Sequence, residues 1–379
     1  MKNRLFKLFP ILLVAVLLVS VLAGCSQSTT TTAAVTSTVT VTDVTGHTLN
    51  VASPVNNLVS LFGPGYEKLV ILGAEDKIVA CGDFNKTHAA WAHVIYKRLN
   101  SVPSVSNPQS PNVETLLTYK PGVVFWFSND QNVKAMENAG IPVVCSSGST
   151  NTTIQSLKDS LMAYAQVLGP DAVKKAQAYN TYFDQKFNNI TTITKTIPDS
   201  QKPKVYVTSG IPLRTRGGKS VMRDTVENAG GIYVAKDAAQ GTAVINYEQM
   251  MQWNPDIIII DHAPDLPDPS ASTTSNTPNG SQVLDQIMND PQLQAVNAVK
   301  NHRVYLSPTG AFFWDAGQQG ILQLEWMAQI FYPDKFKSLN MTTELKDFYS
   351  KFFSYKLTDD QAKLILAHQL PPGASKWGY

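Results

Sequence analysis

Catalytic and nucleotide-binding signatures are missing from this sequence. It has no G-x-S-x-G elbow, no H-E-x-x-H, no C-x-x-C and no G-x-G-x-x-G after a strand. The stretch closest to a phosphate loop, RTRGGKS at 214–220, fails the Walker spacing, because Leu213 stands where the pattern needs a glycine. Charge of one sign is missing too: of the 31 basic residues, Lys2, Arg4 and Lys7 lie in the N-terminal segment, and the remaining 28 face 29 acidic residues. A chain so balanced has no global field to attract nucleic acid. Cysteine is scarce, limited to Cys25, Cys81 and Cys145, and long apolar sequence occurs only at the N-terminus. These absences favour a binder over an enzyme and predict no intrinsic cofactor.

That N-terminal segment sets the expected compartment. Basic residues precede Leu8 to Leu22, an apolar run short for a membrane span, as in a signal peptide. It ends in VLAGC, which resembles the lipobox of lipoproteins; the resemblance implies cleavage before Cys25 and a lipid on that cysteine. An uncleaved anchor helix is the alternative. On either reading the rest of the chain is extracytoplasmic, held at the outer face of the cytoplasmic membrane. Ser26 to Thr42, rich in Ser, Thr, Ala and Val, reads as a tether whose last residues can pair as a strand.

From residue 55 short apolar runs alternate with helical stretches. NLVSLF (57–62), KIVACG (77–82), GVVFWF (122–127) and IPVVCSS (141–147) predict buried parallel strands, and KVYVTSG (204–210), GIYVA (231–235), DIIIID (256–261) and RVYLSP (303–308) repeat the rhythm, with a helical stretch at 281–299 before the last. Between the two series, residues 170–197 predict one helix of about 26 residues, roughly 39 Å long. The fold class is therefore α/β: two Rossmann-like α/β lobes joined by a single long spine helix, with a ligand cleft between them. The expected divisions are a signal peptide at 1–24, a tether at 25–42, an N-terminal lobe at 43–169, the spine at 170–197, a C-terminal lobe at 198–340 and a helical extension at 341–379. A stiff spine predicts a cleft largely formed before ligand arrives.

The lobes share a phrase: NVETLLTYKPGVVFWF (112–127) and INYEQMMQWNPDIIII (245–260) each place a glutamate, Glu114 or Glu248, near the start of a short helix, then a proline and a buried strand. The helix dipole favours a carboxylate there, which explains one glutamate without explaining the repetition. Together with VTDVTGHTLNV (41–51), VENAGGIYVAKD (226–237) and GILQLEWMAQIFYPDKF (320–336), these segments resemble the substrate-binding proteins of ABC importers for iron–siderophores, haem and cobalamin, from about Val41 to the C-terminus. Gly122 departs from the family's acidic residue after the proline. The resemblance implies that Glu114 and Glu248 dock onto arginines of the membrane permease, that a cytoplasmic ATPase supplies the energy, and that the protein works as a monomer. The family's sheet order implies that Cys81 and Cys145 stay apart as free thiols.

Ligands of open α/β sheets bind beyond the carboxyl ends of the strands. The candidates there are Tyr66, Trp91, Trp126, Phe312, Phe313 and Trp314, which can stack on a flat ligand, and Arg214, Arg216 and His262. Arg214 and Arg216 share one side of an extended segment, poised for carboxylates or other anionic groups. With these residues, the resemblance implies a chelated metal of the Fe3+-siderophore type as ligand; a corrinoid or haem on the same scaffold, and a cell-surface metal-dependent enzyme or adhesin, are the alternatives. A bare metal held by His88, His93, His262 and Asp261 is a minority reading.

Overall fold

Runs such as IIIID and VVFW are apolar on both pleat faces, which suits strands covered by helices on either side. The computed structural model describes residues 37–83, 86, 89–147, 153–239, 241–261, 279–315 and 317–377. The chain opens with an antiparallel hairpin, β1 (Ser37–Thr42) and β2 (Thr48–Ser53). Buried Asp43 closes its turn by accepting from the Thr45 and His47 amides, and it docks the hairpin by accepting the Cys145 amide at 2.8 Å. The N-terminal lobe is a five-stranded parallel sheet of β3 (Leu58–Ser60), β4 (Ile78–Gly82), β5 (Ser104–Val105), β6 (Val123–Trp126) and β7 (Val143–Cys145), in spatial order β5-β4-β3-β6-β7. Two strands separate β4 from β7, and Cys81 and Cys145 are free, buried thiols. Burial pushes the Cys81 thiol up to about 12.

The C-terminal lobe contains β8 (Lys204–Ser209), β9 (Arg214–Arg216), β10 (Ile232–Tyr233), β11 (Thr242–Val244), β12 (Ile257–Asp261) and β13 (Val304–Leu306). Strands β10, β8, β12 and β13 pair in parallel, while β9 and β11 continue the sheet antiparallel. RTRGGKS begins as a strand, because Thr215 is fully buried and its hydroxyl donates to the Val207 carbonyl at 2.7 Å, pinning the segment to β8. One expectation changes here. The helical stretch at 281–299 is split into Gly280–Asn289 and Asn297–Lys300: Asp290, next to Pro291, takes an extended backbone.

The spine helix runs Pro170–Thr194, 25 residues, starting at a proline as a first helical turn tolerates. It serves both lobes. Its Asp184 pairs with Lys158 of the N-terminal lobe, and its Thr194 hydroxyl donates to the Asn228 carbonyl of the C-terminal lobe at 2.7 Å. One apolar core runs through the molecule, taking Leu58, Ile78, Val123 and Phe125 from the first sheet, Tyr179 and Phe183 from the spine, and Val205, Val207, Ile257 and Ile259 from the second. The opposite sheet faces have smaller cores of their own, around Val59, Val124 and Trp126 in one lobe and Tyr206, Ile258 and Ile260 in the other. Period-two alternation along each strand distributes the residues between these cores. After the closing helix Gly320–Phe331, helices Met341–Phe352 and Asp359–Leu366 complete the chain with a short turn at Ala374–Trp377.

Candidate functional site

The strand ends that should line the cleft meet at the lobe junction. Phe312, in the loop after β13, presses on Gly63, at the start of the helix that follows β3, so closely that a Cβ on Gly63 would lie 2.3 Å from its ring. Gly317 approaches Glu67 in the same way, and the Gln319 amide donates to Glu67 Oε1 at 3.0 Å. Glu67 and Lys68 are both buried on the helix Gly63–Ile71; desolvation pushes the carboxyl up and the ammonium down, each toward its neutral form. The junction is therefore a packed floor.

This floor absorbs most of the aromatic candidates. Tyr66 has no exposed surface; its hydroxyl donates to Glu75 at 3.2 Å and its ring lies 5.3 Å from that of Tyr96. Trp91 is equally buried and donates to the Gln369 carbonyl at 2.8 Å. Trp126 belongs to the small core on the outer sheet face and donates to Asp130 at 3.2 Å. Phe312, Phe313 and Trp314 are buried in the main core. The expectation that these rings line the cleft is corrected: each has a partner in the protein, and none presents a face to solvent. What remains is a pair not singled out from sequence. Phe127, 47% exposed, stands one residue past β6, with its ring 4.8 Å from the partly exposed Phe62. Strand alternation carried the signal, since a Trp126 facing the outer core turns its neighbour the other way.

Arg214 and Arg216 project to one side of β9, both partly exposed, while Thr215 points into the core. Arg216 does not wait for a ligand: its guanidinium lies 2.8 Å from the buried carboxylate of Asp315, which raises the affinity of Arg216 for its proton. Asp315 was not singled out from sequence, where only its neighbour Trp314 was a candidate. The Gly-Gly of RTRGGKS has a structural purpose. A Cβ on Gly217 would lie 1.8 Å from the Ala239 carbonyl oxygen, and the Gly217 and Gly218 amides donate to Gly241 and Ala239 at 2.7 Å. Ser220 then caps the helix Val221–Asn228.

The metal candidates separate. His262 and His88 lie outside the described residues, as does Cys25. His93 has its Nδ1 2.5 Å from Asn100 Oδ1, its Nε2 2.7 Å from the Lys86 carbonyl, and its ring stacked on Trp377. Buried Asp261 accepts from Gln323 at 3.0 Å. Among the described residues no three His, Cys, Asp or Glu side chains form a group able to hold a metal ion.

Glu114 and Glu248 occupy equivalent places. Each is exposed at the second position of its helix, Val113–Thr118 or Tyr247–Trp253, behind an asparagine cap, Asn112 or Asn246, that accepts from the third helical amide at 2.8 Å. Neither carboxylate has an ion pair or side-chain hydrogen bond among the described residues.

Residues 58–310 match the family described as periplasmic binding protein. The chain belongs to this family. Among its relatives is the molybdate-binding protein MolA of Haemophilus influenzae, 25% identical over 280 residues, which cover 67% of this chain and 73% of the relative. A periplasmic solute-binding protein of Veillonella parvula is 26% identical, superposes with a TM-score of 0.68, and aligns over 87% of this chain and 97% of its own. CeuE of Helicobacter pylori, solved as a complex with nickel and histidine, is 21% identical with a TM-score of 0.68, over 87% and 99% of the two chains. Periplasmic binding proteins are extracytoplasmic transport components that work with ABC permeases on small-molecule ligands. No helix of the described residues is long and apolar enough to cross a membrane.

Proposed function

We propose that this periplasmic binding protein captures an anionic metal chelate of the iron–siderophore type and delivers it to an ABC permease driven by a cytoplasmic ATPase, while a lipid on Cys25 holds it at the membrane. The observations that support the ligand class are half-exposed Phe127 against Phe62 in one lobe and, in the other, partly exposed Arg214 and Arg216 on one side of β9. An aromatic face at one end and guanidinium groups at the other suit a ligand with a broad apolar surface and acidic metal-binding arms. In this reading Glu114 and Glu248 orient the loaded protein on the permease and raise the encounter rate.

A second reading has its own support. The relative named for molybdate suggests an oxyanion, which two arginines can hold with no help from aromatics. Isothermal titration of the purified chain with ferric hydroxamates, ferric catecholates and molybdate separates the two. On the chelate reading, a ferric chelate binds with a dissociation constant of about 1 µM or tighter. Phe127→Ala then weakens it by about tenfold, as expected for loss of one stacked ring, and Arg214→Ala weakens it further. Binding of molybdate alone, indifferent to Phe127→Ala, assigns the oxyanion and overturns the chelate.

A further inference from the structure

The docking carboxylates have apolar neighbours that repeat as faithfully as they do. Each helix buries its fourth residue, Leu116 or Met250, in the core and exposes its fifth, Leu117 at 45% and Met251 at 40%. Each is followed by a residue of positive φ, Lys120 at 49° and Asn254 at 42°, then by a proline and a central strand. Large apolar side chains this exposed are few among the described residues: these two, Phe127 just past β6, and Val244 just before the second helix. A single exposed leucine needs no explanation. The same exposure at the same position of both lobes does, because Leu116 and Met250 already supply each helix with its core contact. Glutamate and apolar residue are three apart, so each pair lies on one helix face.

We infer that Leu117 and Met251 are paired apolar anchors that enter two equivalent pockets, each beside a basic group, on the two like subunits of the permease. The inference rests on the reading of Glu114 and Glu248 as docking residues and adds what holds the complex once it forms. Rim charges govern orientation and association, whereas a buried apolar anchor governs dissociation. One motif present twice on a monomer calls for a partner that presents the complementary surface twice. The carboxylates, with no ion pair of their own, supply the charge complementarity.

Biolayer interferometry of the full chain on its permease–ATPase complex in lipid nanodiscs, at low and high salt, tests this. Leu117→Ala and Met251→Ala should each weaken binding about tenfold, and together about a hundredfold, through faster dissociation with unchanged salt dependence. Glu114→Ala with Glu248→Ala should instead slow association and flatten the salt dependence. Melting temperatures should not change, since all four side chains are exposed. If the glutamate variants weaken binding and the Leu117→Ala, Met251→Ala double variant does not, docking stands and the anchors fall. If the glutamate variants also bind as wild type does, or wild type does not bind, the docking reading itself falls. An effect from one anchor alone overturns the two-fold arrangement. Self-association of the wild type that the double variant abolishes gives the patch to a second copy of this chain and overturns the permease assignment.

Discussion

Gly217 and Arg216 show how one position can be claimed by structure before function reaches it. Gly217 lets the backbone approach the Ala239 carbonyl, and Arg216 is neutralised by Asp315 before any ligand arrives. The charge of Arg216 is therefore shared with Asp315. Gly217→Ala has no room to relax, because the atom it would strike is main chain and not a side chain. Its cost should be about 3 kcal/mol, the upper end of ordinary overpacking. Gly63→Ala strikes side-chain atoms of the Phe312 ring and not main chain, and should cost less. Urea unfolding of the two variants checks the order, and a larger loss in Gly63→Ala would contradict this account.

At the scale of elements, the strands that alternate with helices were legible because their runs are apolar on both faces, and a parallel sheet buries both. Strands β9 and β11 were not, since RTR and TAV carry no such run and are strands only because β9 pairs with the edge of β8 and β11 in turn with β9. The C-terminal helices hold a titratable group at such a junction. His368 follows helix Asp359–Leu366, and its Nδ1 lies 2.6 Å from the Ser307 carbonyl and 2.8 Å from the Thr309 hydroxyl. Burial lowers its pKa below 6.5. The unfolded chain thus takes up a proton near pH 6.5 that the folded chain resists, so this residue's contribution to stability is present above that pH and is lost on acidification. His368→Gln should flatten the fall in melting temperature between about pH 7 and pH 5, and a variant with an unchanged acid limb would refute the assignment.

In the whole molecule the C-terminal extension spans both lobes. His368 meets the C-terminal lobe at Ser307, while the Gln369 carbonyl accepts from Trp91 and Trp377 stacks on His93, both in the N-terminal lobe. With the spine and the packed floor, this makes a third link between the lobes. A variant ending at Ala367 removes all three contacts. Amide hydrogen exchange should then accelerate both at Trp91–Tyr96 and at Ser307–Ala311. Unchanged exchange in either segment would show that the spine and floor suffice.

The sequence by itself determined the α/β class, the two lobes with a spine between them, and the repeated Asn, Glu and Pro phrase, because these depend on local periodicity, caps and turn residues. It also pointed to the strand ends. Which rings there stay exposed was decided only in three dimensions. Tyr66, Trp91 and Trp314 are aromatic near strand ends, as Phe62 and Phe127 are, but the first three find partners such as Glu75, Gln369 and the main core. Burial is settled by surfaces far away in sequence: Trp91 is covered by a carbonyl 278 residues later, which no local pattern encodes.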